Sequence, residues 1–526
     1  MPDLLIHNAR IWTGDRSSPL ADAAVARHGL WMFVGREADA NVDARTPRLD
    51  AGGRLVMPGF TDGHAHLLNT GFAMSGVDLK GVPSVEEAAR RVAERVQMTS
   101  AGGWIRGAGW DQHDWPGARF PHRRELDSAA PDNPVVLAHT SGHCVWVNSA
   151  ALRAAGVTAA TASPEGGTID LDDAGEPSGI LRDNASMLVE RVVPRPSRDE
   201  RMAALRAAVA HAHALGVTGA HAMNVGLGEY EALQAMHGEG SLRFRVRAFL
   251  TAERLDRWIE RGHRTGDGDE ILRTGGVKFI ADGALGSMTA WMLAPYAGSE
   301  DTGLALQPSG VLEERVRRCL EAGLAPAIHA IGDRASREVL DILERAREIA
   351  PALPRRIEHA QLLAADDLPR FAALGVTASA QPIHATQDMH KVDRAWGKRG
   401  GGAYAFASLA ASGANLAFGS DTPVETMDPL AGLHAAVTRR RADGEPPGGW
   451  YPDERLSLDA ALSAYTSGCA AVVGEEAVSG RIAAGCYADC VVLSEDIFAI
   501  DDPMRLLDAR VDATVVAGEV VFQREG

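Results

Sequence analysis

The chain has 526 residues, and 53 Lys and Arg against 70 Asp and Glu give it a formal charge of −17. Hydrophobic residues make up 45% and charged residues 23%, a globular balance that excludes wholesale disorder. So acidic a surface repels phosphate backbones and anionic lipid, which excludes nucleic acid and membrane surfaces as expected partners.

No apolar stretch approaches the ~18 residues of a spanning helix. The N-terminus alternates polar and apolar residues like a strand, without the basic start and long apolar core of a signal peptide. Five cysteines, Cys144, Cys319, Cys469, Cys486 and Cys490, are too few and too scattered for a disulfide framework. A cytoplasmic enzyme is the starting expectation, with a homodimer as no more than the commonest assembly.

Residues 4–12 and 31–34 read as short strands, and 490–493 and 513–521 repeat that texture near the other end. A small β-sandwich built from both termini, residues 1–54 with 466–526, is therefore expected. Between them, short apolar runs at 55–60, 217–220, 244–250, 277–280, 325–328, 356–358, 376–380 and 415–418 alternate with helical patterns. Eight such units predict an α/β fold, a (β/α)₈ TIM barrel over 55–77 and 197–465. The gap between the first two runs far exceeds an ordinary connection. Residues 78–196 thus read as an inserted α+β subdomain after barrel strand 1, rich in tryptophan (Trp104, Trp110, Trp115, Trp146).

The first run leads into GFTDGHAH, with His64 and His66. On an extended chain, residues i and i+2 point to one side, so both imidazoles can reach one ion. A second H-x-H, His211 and His213, lies in a helical pattern that turns the two side chains apart; it reads as helix surface. Run four carries Lys278, runs five and six end at His329 and His359, and the eighth reaches Asp421. Barrel enzymes keep their active sites at the C-terminal face of the strands. Four histidines and an aspartate converging there suit Zn²⁺ or a similar divalent ion. Lys278 is costly to bury charged, so it should be neutral, paired with a carboxylate such as Asp282, or converted by carbon dioxide to a carbamate that bridges two metals.

The chain resembles the amidohydrolase superfamily of metal-dependent hydrolases, in the branch of N-substituted formamide deformylase-like proteins. The resemblance rests on PGFTDGHAH (58–66), GWIRGAGWDQHDW (103–115), GHCVWVNSAAL (142–152), VKFIADGALGS (277–287), HAIGDRA (329–335), RIEHAQ (356–361), GSDTPVE (419–425) and GCYADCVVL (485–493). It implies that His64, His66 and Asp421 bind one metal, that His329 and His359 bind a second, and that carboxylated Lys278 bridges them. One or two Zn²⁺ ions are implied, with two favoured. Asp421 would also serve as general base and acid in hydrolysing a C–N amide bond of a small molecule, an N-substituted formamide or N-acyl amine.

Deaminases of the superfamily typically carry a glutamate three residues after the strand-five histidine; here Gly332 stands there. An esterase or cyclic-amide hydrolase on the same site stays open, as does a metal-free barrel with a binding role. Trp110, Asp111, His143 and Gln381 are expected to contact substrate, with Asp282 and Asp333 orienting ligands.

Overall fold

The computed structural model describes residues 3–525. The chain forms two compact units, one of residues 1–67 and 208–526, the other of residues 68–207.

The larger unit is built around an eight-stranded parallel sheet. Its strands are β1 (Phe60–Ala65), β2 (Val217–Val225), β3 (Arg245–Thr251), β4 (Leu272–Ile280), β5 (Pro326–Ala330), β6 (Arg355–His359), β7 (Val376–Ala380) and β8 (Leu416–Phe418), hydrogen-bonded in that order. Almost every residue of these strands is buried, because helices cover the outer face and the barrel fills its own interior. The seam between β8 and β1 is tied beyond the last strand: Asp421 N–H donates to the His64 carbonyl and His66 N–H to the Thr422 carbonyl. Gly419 makes that approach feasible, since a Cβ there would lie 2.3 Å from the His64 nitrogen. The chain thus folds as a TIM barrel.

The structure corrects one boundary. The apolar run 55–60 is not a single barrel strand. Leu55–Pro58 pairs with Arg10–Trp12 and with Cys490–Leu493 in a six-stranded sheet of the two chain ends, and the barrel begins only at Phe60. Uniform hydrophobicity hid the break because both strands are buried at almost every residue.

The chain ends also supply a four-stranded sheet ordered Leu30–Gly35, Ala23–Arg27, Leu4–His7, Arg48–Asp50. Ile6, Trp31, Val56, Val492 and Val515, drawn from both sheets, share one buried cluster. All five cysteines are buried and unpaired, consistent with packing roles.

The smaller unit holds a six-stranded sheet, with Val135–His139 parallel to Ile105–Trp110 and antiparallel to Cys144–Val147. Trp110, Trp115 and Trp146 sit in its core. No helix among the described residues is long and apolar enough to cross a membrane.

Candidate metal centre

The barrel interior carries an unusual charge cage. Arg356 and Glu358 share one face of β6, two residues apart, where an apolar strand would ordinarily hold aliphatic side chains. The Arg356 guanidinium donates to both Glu358 oxygens, to the Gly63 carbonyl at 2.6 Å and to Ser379 Oγ at 2.6 Å; it also meets His221 Nδ1 at 2.8 Å. Contacts with β1 and β2, which are not neighbours of β6 in the sheet, place this pair inside the barrel. Both side chains are essentially inaccessible. Such a pair is sustained only when each remaining lone pair and proton is matched.

Glu358 passes that order on to His64. Its Oε2 lies 2.6 Å from His64 Nδ1, which fixes the proton on Nδ1 and leaves Nε2 as a lone pair. His64 Nε2 is buried without a hydrogen-bond partner and stands 3.5 Å from Asp421 Oδ1. His66 Nε2 is 3.1 Å from the same oxygen. One ligand atom each from His64, His66 and Asp421 all lie within 4.8 Å of one another.

His359 is turned by the same logic. Gln381 Oε1 accepts from its Nδ1 at 2.9 Å, so its Nε2 carries the lone pair. The His359 ring lies 4.8 Å from that of His64 and 4.6 Å from that of His329, centroid to centroid. His329 donates Nε2–H to the Gly283 carbonyl at 3.0 Å, which leaves Nδ1 as its lone pair. The backbone is strained where it delivers these groups: His359, Ala360 and Asp421 have φ of +72°, +44° and +58°, each costing about 1–3 kcal/mol for an L-residue.

The electrostatics agree with a cation between these side chains. Burial pushes the imidazoles of His64 and His329 down to about 4, with Lys278 pressing the same way. Burial and the two neighbouring rings hold His359 well below the ordinary range. Neutral imidazoles are metal ligands. Burial works to raise the Asp421 carboxyl, but His64, His66, His359 and His384 outweigh it and keep it ionised. Lys278 Nζ is buried with no partner, and burial lowers it to about 8. Unmatched lone pairs, an ionised carboxylate and an amine held near neutrality in one buried space are the inventory that a divalent ion completes. The residues fit the group.

Sequence reasoning missed two residues here. Glu358 was within reach, since alternating charges in R-I-E-H mark one face of an otherwise apolar strand. His384 was not. It follows β7 in the first turn of the helix Pro382–Gln387, where no strand-end rule points to it. One of its ring nitrogens lies within 4.8 Å of ligand atoms of both His359 and Asp421.

Several expectations need correcting. Trp110 is no substrate contact: it is fully buried, stacks on Trp115 at 5.8 Å and donates Nε1–H to the Leu137 carbonyl. Core demand in the smaller unit claims its whole ring. Asp111 caps the short turn Gln112–Asp114 through His113 N–H, and His143 pairs with Asp183 at 3.0 Å in solvent. Gln381 orients His359 through Oε1, and its Nε2 is buried without a partner.

Asp282 stands 3.5 Å from His329 Nε2, but its oxygens accept the backbone N–H groups of Trp291, Ile331 and Gly332. Burial lifts its carboxyl to about 7. Asp333 accepts from Leu293 N–H and faces Arg399 at 3.8 Å, so it organises loops rather than a histidine. His213 is not on a helix surface. It is buried beside Phe244 and donates Nε2–H to the Arg243 carbonyl at 2.8 Å, because the last helical turn packs inward.

A family model described as the Amidohydrolase family matches residues 49–522. The chain belongs to the amidohydrolase family. It is 33% identical to "Putative amidohydrolase YtcJ" of Bacillus subtilis, over 98% of this chain and 99% of that one. It is 28% identical to the N-substituted formamide deformylase of Arthrobacter pascens, over 100% and 99%. An uncharacterized metal-dependent hydrolase from Pyrococcus furiosus superposes with a TM-score of 0.79 at 30% identity, covering 94% of this chain and 99% of that one. The amidohydrolase barrel described above is thus that of a metal-dependent hydrolase, an enzyme acting on carbon–nitrogen bonds other than peptide bonds.

Proposed function

We propose that the enzyme hydrolyses a carboxamide of the N-substituted formamide or N-acyl amine type. Asp421 carries the reading: one carboxylate oxygen faces two imidazoles at 3.5 and 3.1 Å, and the group stays ionised. We assign His64, His66 and Asp421 to one ion and His329 and His359 to a second. Zn²⁺ is the metal we favour from the nitrogen and oxygen donors, and we assign Lys278 as its carbamate between the two ions. Burial of this unpartnered amine lowers it to about 8, which raises the share of the neutral amine, the nucleophile that adds to carbon dioxide and gives up its proton to form the carbamate.

A bound divalent ion supplies Lewis acidity, acidifying water and polarising a carbonyl. The protein's own residues do the rest. Asp421 accepts the proton of the attacking water and returns it to the leaving nitrogen, as a positioned acid and base. Glu358 and Gln381 hold the rings of His64 and His359 in the tautomers that present lone pairs inward. Backbone strain at His359 and Asp421 keeps both groups aimed before substrate arrives.

Deamination of an aromatic ring is disfavoured by position 332. A Cβ there would lie 2.0 Å from the Trp291 carbonyl, so the acid that such deaminases place at this point has no room. Likeness to the Arthrobacter formamide deformylase over the full length supports the amide class.

The test is a screen of N-formyl, N-acetyl and longer N-acyl amines with Zn²⁺ and bicarbonate supplied, reading amine release. Turnover of N-formyl or N-acyl amines is expected. Activity confined to esters or to amino-heterocycles would overturn the assignment.

A further inference from the structure

We propose that His384 is a ligand of the second divalent ion, beside His359 and Asp421. The proposal deepens the metal-centre reading above and rests on it.

Three independent features of this side chain converge. It is 5% exposed, and neither ring nitrogen has a hydrogen-bond partner. An unmatched buried polar group costs about 1–3 kcal/mol, so an imidazole with both nitrogens unmet is held for something that completes it. One of those nitrogens lies within 4.8 Å of ligand atoms of His359 and Asp421. Those two neighbours both offer electron pairs: Gln381 Oε1 accepts from His359 Nδ1, which leaves Nε2 as the lone pair, and Asp421 brings a carboxyl oxygen. Electron-pair donors gathered this closely in a buried space are complemented by a cation among them.

The third feature is how the side chain is placed. Gln381, Pro382 and His384 lie within one four-residue stretch after β7. Pro382 opens the helix Pro382–Gln387, and His384 N–H donates to the Gln381 carbonyl at 3.1 Å. The segment that orients His359 through Gln381 therefore also delivers His384, so one rigid turn sets two nitrogens of one ion. Asp421 then belongs to both three-donor groups, His64–His66–Asp421 and His359–His384–Asp421. A carboxylate with two oxygens can serve two ions in this way.

Metal binding to the full-length, metal-free enzyme decides the matter without reference to turnover. Zn²⁺ is titrated into wild type, His384→Asn, His384→Gln and His66→Asn, and binding is read by calorimetry and by metal analysis after dialysis. Loss of a ligand is expected to weaken one ion at least ten-fold in either His384 variant while the other ion is bound as in wild type. His66→Asn is expected to weaken the other. The Gln variant keeps more of the ring volume and serves if the Asn variant fails to fold. Ion affinities unchanged in both His384 variants, with His66→Asn impaired, would overturn the proposal and leave the metal centre standing. A wild type that takes up no Zn²⁺ would overturn both.

Discussion

His64 Nδ1 and Glu358 Oε2 stand 2.6 Å apart in the sealed interior of the barrel, and Arg356 donates to both oxygens of the same carboxylate. A charged pair this deep is costly to desolvate, and one partner removed leaves the other exposed to that cost. The barrel keeps it because the carboxylate fixes which nitrogen of His64 carries the proton. An ordinary aliphatic layer would pack as well but would leave the imidazole free to rotate and to change tautomer.

Glu358→Gln is therefore expected to do two things. Stability falls by about 3 kcal/mol, since Arg356 loses its counter-charge, read by denaturant unfolding. Zn²⁺ affinity falls by about 10- to 100-fold, the usual effect of removing a carboxylate behind a ligating histidine. Unchanged Zn²⁺ affinity in a destabilised variant would show that Glu358 only balances Arg356.

Much of this centre is legible in the sequence, for a physical reason. His64, His66, His329, His359 and Asp421 close or follow barrel strands, and strand ends can be found from hydrophobic runs alone. Lys278 stands out because an amine is anomalous in such a run. Glu358 and His384 escape that rule. Glu358, next to last in β6, shows in the sequence as a charge alternating with Arg356, but its bond to His64 appears only when β1 and β6 are seen across the interior. His384 sits in a helical turn that reads as an ordinary connection. Trp110 is misjudged for the opposite reason: a large aromatic at a strand end looks the same whether it faces a ligand or a core, and only packing with Trp115 and Trp146 separates the cases. The junction at residues 58–60 is invisible because two buried strands in different sheets share one apolar texture.

Asp421→Asn is expected to keep the fold while turnover of an amide substrate falls at least ~10²-fold, the scale of a positioned acid and base. Asparagine fills the same space and still offers an oxygen, but it does not take the proton. Turnover at saturating Zn²⁺, set beside circular dichroism of the same preparation, checks this. Near-normal turnover would remove Asp421 from the base role.

Lys278→Met is expected to abolish activity without destabilising the metal-free protein. The amine is buried with no hydrogen-bond partner, so replacing it by a similar apolar chain removes an unmet polar group, a gain of about 1–3 kcal/mol. Thermal unfolding of metal-free protein measures the stability and an amide assay the activity. Wild-type activity should also rise with added bicarbonate. A metal-free Lys278→Met protein clearly less stable than wild type would mean that the amine is satisfied in the folded chain.

The acid limb of stability should carry a contribution from His213, far from the metal centre in sequence and in role. Burial pushes this imidazole down to about 4, against an ordinary value near 6.5. The folded state thus binds the proton less readily than the unfolded chain does. Its contribution is fully present above about pH 6.5, is lost as pH falls through that value, and is gone below about 4. The largest effect is about 3 kcal/mol. In His213→Gln the amide can still donate to the Arg243 carbonyl but does not titrate, so unfolding free energy between pH 6.5 and 4 should fall less steeply than in wild type. Chemical denaturation of metal-free protein at half-unit pH intervals gives both slopes. Identical slopes would mean that the ring is protonated, or reached by water, in the native state, against the buried hydrogen bond it makes to strand-flanking Arg243.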